Sequence, residues 1–438
     1  MIIYFVEIRP PLKNTFYTLA ILAIVIYSCN SVSSAKHEDV PVPEDSLQFY
    51  APTPAAMNKT EFRKYVRELN TFFASHLVNS GFNGSILIAK DGNVLYEKYV
   101  GFADLRTKDV MTDSTPIHIA STSKTFTAAA VLGLVQQGKL SLSDSIQRFF
   151  PGLPYPGVTI RSLLNHRSGL PNYLYFMDKK ENWDKKKIAT NIDVLQTLYT
   201  MKPDIYFRTN RRFSYCNTNF VLLALIVEKI TGMPFPKYLQ QTIFGPLQMK
   251  HTFVYTLADT GKIKVVTSYN YNNTVWKNDF LEGTYGDKNV YTTPKDLLKW
   301  DQALYTESIL CKNMLDSAFT PYSLEKPSIH NYGLGFRMLL LKNGKKVIYH
   351  FGRWHGFNAA FARLTDEKAT IIILGNKFNR NIYSTAHKLY DVFGNYGQDK
   401  DGDFNNENED DDNNGSKSVV LQKTVAIQKS PLISPSRF

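Results

Sequence analysis

A chain of 438 residues is long enough for two domains, or for one large core with an insertion. Its net charge is +12, but no arginine-rich helix, zinc spacing or RNA-binding signature accompanies that charge. It reads as a solvated basic surface, one suited to anionic lipid or wall polymer, and nucleic acid is not expected as a partner. The three cysteines, Cys29, Cys216 and Cys311, have no C-x-x-C spacing, which argues against a zinc or thioredoxin-like site; a Cys216–Cys311 pairing stays open with little weight.

In chain order, Phe16 to Tyr27 is almost wholly apolar and follows Lys13. That length is short for a spanning helix and suits the apolar stretch of a signal peptide. It ends Ile26-Tyr-Ser-Cys29, which resembles a bacterial lipobox, so residues 1–29 are expected to be an export signal with lipidation at Cys29. Glu7 and Pro10-Pro11 are odd for a signal's start, and a start codon assigned too far upstream would explain them. Residues 30–58, rich in Ser, Pro and acidic groups, read as a flexible tether. Asn58 to about Asn79 has helical spacing, with Phe62, Tyr65, Leu69, Phe72 and Phe73 on one side. Ser85 to Ala89, then Asp91-Gly-Asn93, then Val94 to Val100 predicts a hairpin.

Ser121-Thr-Ser-Lys124 follows, opening a run rich in alanine and leucine and free of proline, which predicts a buried helix. A serine and a lysine three apart share one helix face, where an amine can take the hydroxyl proton. Helix-end N–H groups there favour developing negative charge. Two other S-x-x-K copies have poorer surroundings: Ser33 to Lys36 lies in a polar stretch, and Lys326 precedes Pro327. Residues 140–285 alternate helical segments with long loops and hold Tyr215-Cys-Asn217. His350-Phe-Gly352 reads as strand-borne. Arg353 to Leu364 and Thr370 to Leu374 read as two more strands, and Asn381 to Phe393 as a terminal helix. From Gln398 the chain is acidic and reads as a disordered tail. Asp399-Lys-Asp401-Gly-Asp403 suggests calcium, but the sixth position of such a loop, a glycine, is Phe404 here.

With their flanks, these motifs resemble the serine β-lactamase-related family, which holds class C β-lactamases, D-Ala-D-Ala carboxypeptidases, D-amino acid peptidases and esterases. The resemblance covers roughly residues 60 to 392. It includes Ile117 to Ala128, Leu163-Leu-Asn-His-Arg-Ser-Gly-Leu-Pro171, Phe213 to Phe220, Gly245-Pro-Leu-Gln-Met249, Gly286 to Trp300 and His350 to Phe357. It implies an α+β fold of the β-lactamase/transpeptidase type: an antiparallel sheet flanked by helices in a domain over 59–397, with a mostly helical insert at about 140–285.

The resemblance also assigns roles. Ser121 is the expected nucleophile, Lys124 a buried amine and Tyr215 a proton-transfer group that needs the field of Lys124 near neutral pH. Asn217 is expected to bind a substrate carbonyl, and His350 a substrate carboxylate or Tyr215. Gly352 is expected to let substrate approach the strand, and the N–H groups of Ser121 and Arg353 to form the oxyanion site. Trp354 and His355 read equally as pocket wall or packing, and His166 as structural. The third motif is H-F-G where many β-lactamases carry K-T-G, which argues against efficient β-lactam hydrolysis. The reading is an exported, lipid-anchored serine hydrolase of the periplasm or cell envelope, acting on a D-amino acid peptide of the cell wall or a small ester. It implies no cofactor or metal. The alternatives are a class C-like β-lactamase and a non-catalytic binding or sensor protein.

Overall fold

Two faces of one antiparallel sheet organise the molecule, seen in a computed structural model that describes residues 53–397 apart from Val78 and Ser80. The expected signal peptide, Cys29, most of the tether and the acidic tail lie outside the described residues. The predicted hairpin is present as β1 (Gly84–Lys90) and β2 (Asn93–Val100). β3 (Phe102–Asp104) and β4 (Asp109–Val110) make a small ribbon. β5 (Ile117–His118), β6 (Phe253–Val254) and β7 (Val290–Thr292) make a three-stranded patch in the order β5-β7-β6. β8 (His330–Tyr332), β9 (Arg337–Leu340), β10 (Lys346–Trp354), β11 (Phe357–Leu364) and β12 (Ala369–Gly375) complete the main sheet, ordered β2-β1-β12-β11-β10-β9-β8.

The central strands are buried on both faces, so they read as apolar runs. Their side chains still divide with period two. In β12, Ile371 and Ile373 join one core while Ile372 and Leu374 join the other. The first core lies under α1 (Lys59–His76), as its helical spacing predicts. Facing the second core are α2 (Lys124–Gln136) and the segment between residues 140 and 285, where helices alternate with long loops and make up only a minor part of the residues, fewer than the mostly helical insert expected. That segment contains α3 (Ile160–Leu164), α4 (Tyr173–Phe176), α5 (Asn191–Met201), α6 (Asn217–Thr231) and α7 (Phe235–Leu239). α8 (Pro294–Ala303) and α9 (Lys312–Ala318) follow. The predicted terminal helix is present in two pieces, α10 (Asn381–Lys388) and α11 (Tyr390–Phe393).

One expectation is corrected. Arg353 to Leu364 is not a single strand: it holds the end of β10, a turn at His355-Gly356, and β11. His355 takes a left-handed φ of 53° there. A Cβ on Gly356 would sit 2.1 Å from the Tyr269 carbonyl oxygen, so the tight turn needs that glycine. No disulfide forms among the described residues, since Cys216 and Cys311 are both free.

Candidate active site

Period two along β10 places Ile348, His350, Gly352 and Trp354 on the face toward α2, while Val347, Tyr349 and Phe351 join the opposite core. Against that face sits a single 3-10 turn, Ala120–Ser123, leading into α2. The turn is pinned from several sides. Thr122 Oγ1 donates to the His350 carbonyl at 3.1 Å, Ser123 Oγ accepts from Val290 N at 3.1 Å, and His118 Nδ1 accepts from Ala120 N at 3.1 Å. Ala120 holds φ at +47°, an unfavourable conformation for a residue with a Cβ, which these bonds over-determine.

Lys124 is 0% exposed, yet its amine is fully engaged. Nζ lies 3.1 Å from Ser121 Oγ, 2.8 Å from Asn217 Oδ1 and 2.9 Å from the Asp287 carbonyl. It also sits 4.9 Å from the Tyr215 ring centre. Ser121, Lys124, Tyr215 and Asn217 therefore meet at one point. Ser121, Tyr215 and Asn217 line a cavity of about 250 Å³. Arg353, Trp354 and His355 are in its wall as well, joined by Lys288, Trp276 and Asp279.

The two remaining predicted contacts are placed differently. His350 is 0% exposed and is not among the cavity's lining residues. Its Nδ1 donates to the Phe351 carbonyl at 2.8 Å, which leaves Nε2 to accept the Tyr332 hydroxyl at 3.1 Å. Both ring nitrogens are spent inside the protein, so of its two expected contacts His350 makes the one with Tyr215, whose ring centre is 6.4 Å away, and not the one with a substrate carboxylate. Gly352 is also buried. A Cβ there would stand 2.4 Å from the Ile119 carbonyl oxygen and 2.8 Å from Ser121 N. The glycine admits the serine turn against β10, rather than admitting substrate to the strand.

Sequence reasoning set His166 aside, and the structure brings it to the centre. Its carbonyl accepts from Ser214 N at 2.8 Å and its Nδ1 accepts from Cys216 N at 3.1 Å, bracketing Tyr215. Its ring lies 4.2 Å from the Tyr215 ring. The left-handed φ of 55° at His166 makes both contacts reachable, and no short-range pattern announces that geometry. Lys288 and Trp276 were also missed, because they come from loops without periodicity. The signal for Lys288 was its place in the Gly286-Asp-Lys-Asn289 block. Trp354 is fixed by donation from Nε1 to Glu282 Oε1 at 3.2 Å, and the same oxygen meets His355 Nε2 at 2.7 Å. Burial pushes the Glu282 carboxyl up, but the His355 hydrogen bond and the nearby His355 and Lys288 charges bring it below its ordinary value. Burial pushes the Cys216 thiol to about 11, so it stays protonated beside Tyr215.

Three imidazoles around the site are held neutral. Burial lowers His118 to about 4, and burial together with the Lys124 and Arg337 charges lowers His166 and His350 well below the usual range. When pH falls below about 6.5, the unfolded chain binds protons that the folded chain refuses. Stability is therefore full above that pH and is lost as pH falls. The His118 share ends near pH 4, where the folded form also protonates. That share alone is on the order of 3 kcal/mol. Urea midpoints measured at pH 7.5 and pH 5 are expected to be clearly lower at pH 5; equal midpoints would contradict the neutral, buried assignment.

A buried lysine bridging a serine and an asparagine at the base of a cleft, beside a tyrosine, on an antiparallel sheet with a helical insert, defines a class of serine hydrolase. The chain belongs to the Beta-lactamase family, whose model matches residues 70–392. It is 34% identical over 334 residues to penicillin-binding protein 4* of Bacillus subtilis, covering 73% of this chain and 74% of that one. It is 28% identical to the D-aminopeptidase of Brucella anthropi over 73% of this chain and 61% of that protein. Among solved structures, the octameric penicillin-binding protein homologue from Pyrococcus abyssi superposes with a TM-score of 0.66 at 27% identity, covering 75% of this chain and 77% of the other. The D-amino acid amidase from Ochrobactrum anthropi shares the fold, with a TM-score of 0.60 at 23% identity over 74% of this chain and 98% of that one.

Proposed function

We propose that this serine hydrolase works through an acyl-enzyme on Ser121 and cleaves amide or ester bonds next to a D-configured residue, as in a cell-wall peptide. The observation that carries the reading is Lys124 Nζ, shared between Ser121 Oγ and Asn217 Oδ1 with Tyr215 beside it. In this reading Tyr215, in the field of the Lys124 ammonium, takes the proton from Ser121 as it attacks the carbonyl carbon. The N–H groups of Ser121 and Arg353 receive the oxyanion, and Asn217 holds a substrate amide. The proton passes to the leaving amine or alcohol, and water then releases the acid. The D-residue preference leans on the similarity to a D-aminopeptidase, and the wall peptide on the similarity to a penicillin-binding protein.

The test is turnover of matched D- and L-alanine p-nitroanilides, an acyl-D-Ala-D-Ala peptide, a nitrophenyl ester and a chromogenic cephalosporin. D-substrates are expected to exceed their L-partners at least tenfold. Ester turnover with no amide turnover would leave an esterase, and cephalosporin turnover above all others would favour the class C reading. Export and lipidation at Cys29 belong to the same proposal on sequence grounds. The mass of the mature N-terminal peptide from membranes checks them, and an unmodified Cys29 would remove the anchor.

A further inference from the structure

Tyr215 must accept and return a proton, and a phenol does so near neutral pH only in a positive field. Among the described residues, titratable and charged groups from five segments surround its ring. Lys124 comes from α2, with Nζ 4.9 Å from the ring centre. Arg337 comes from β9, with the guanidinium carbon 5.0 Å from the same ring centre. His166 follows α3, His350 is on β10 and Tyr332 on β8, with ring centres 4.2, 6.4 and 6.4 Å away. Cys216 is the next residue along the chain. The two imidazoles are buried and uncharged, and the thiol is protonated. Among the described residues the cations of this set are therefore Lys124 and Arg337.

Arg337 is only 9% exposed, and a guanidinium stays charged even when buried. It pairs in register with Tyr349, the residue before His350. The H-F-G strand thus offers Tyr215 a neutral ring at His350, and the cation stands one strand over at Arg337. A cation against an aromatic face interacts with the ring and favours its anion further.

We propose that Arg337 is a positioning residue for Tyr215, supplying from β9 the second cation that, with Lys124, poises the tyrosine to take the Ser121 proton. The role in proton transfer rests on the acyl-enzyme reading; the electrostatic coupling does not.

The experiment uses protein labelled with carbon-13 at the tyrosine ring Cζ, with the Tyr215 resonance assigned by its loss in Tyr215→Phe. The resonance is followed against pH in the unmodified protein, in Arg337→Gln and in Arg337→Lys. In Arg337→Gln the midpoint is expected to rise by about one unit, a tenfold gain in proton affinity. In Arg337→Lys, which keeps the charge, it is expected to move less than half as far. The pH profile of Ser121 labelling by a fluorophosphonate should shift alongside. An unmoved midpoint in folded Arg337→Gln overturns the proposal, as does an equal shift in both variants. Should Arg337→Gln not fold, Arg337→Met takes its place, with the same rise expected and an unmoved midpoint again overturning the proposal. The resonance needs no substrate. A protein whose Ser121 never labels would sink the hydrolase reading and leave the coupling of Arg337 to Tyr215 to be decided by the titration.

Discussion

Replacing Lys124 with methionine is expected to slow acylation at Ser121 by about 10²- to 10⁴-fold, the usual worth of positioned proton transfer, because Tyr215 loses the cation that lets it take the serine proton. Methionine keeps the length of the stem and removes the charge, so the loss falls mainly on chemistry. It also strips Asn217 Oδ1 and the Asp287 carbonyl of the amine each accepts from. Each orphaned buried acceptor costs about 1–3 kcal/mol, so a lower melting temperature should accompany the slower reaction. Fluorophosphonate labelling rates, with the melt recorded in parallel, measure both effects. A labelling rate within twofold of the unmodified protein would mean that Lys124 is only a structural amine.

The second large effect is expected at a residue that carries no reactive group. Gly352→Ala puts a methyl 2.4 Å from the Ile119 carbonyl oxygen and 2.8 Å from Ser121 N. Both are backbone atoms, so no side chain can swing aside. Either β10 or the serine turn must move. A displacement near 1 Å at a nucleophile costs about 10²-fold in rate. Overpacking costs about 1–3 kcal/mol in stability. The pattern to look for is a kcat loss with little change in KM, because the turn is displaced while most of the cavity wall is not. A fall in affinity with kcat intact would instead mean that Gly352 admits substrate to the strand.

Those two residues show what the sequence could and could not reveal. Lys124 was legible because three residues on an apolar helix must bring its amine to Ser121, a local consequence of helix geometry. The hairpin of β1 and β2 was legible because Asp91-Gly92 sits between two apolar strands. Gly352 was picked out for the wrong contact, since its true neighbour, Ile119, is more than 200 residues away in the chain. β8 and β9 were not foreseen: they are three and four residues long, too short for a period to declare itself, and Arg337 was missed with them. The division between β10 and β11 was hidden because His355-Gly356 interrupts a run rich in aromatic and apolar residues without a proline or an Asn-Gly signal. His350 was identified as important for its motif, but its direction depends on Tyr332 and on burial that only the assembled sheet creates.

The central claim is that Ser121 becomes covalently acylated. Its most direct test is intact mass followed by peptide mapping after exposure to a fluorophosphonate and, separately, to a penicillin, with Ser121→Ala beside the unmodified protein. The account predicts one fluorophosphonate adduct per chain, mapped to Ser121 and absent in Ser121→Ala. The penicillin arm is expected to give a slowly released adduct at the same serine. An adduct that survives Ser121→Ala, or folded protein that neither reagent modifies, would contradict it.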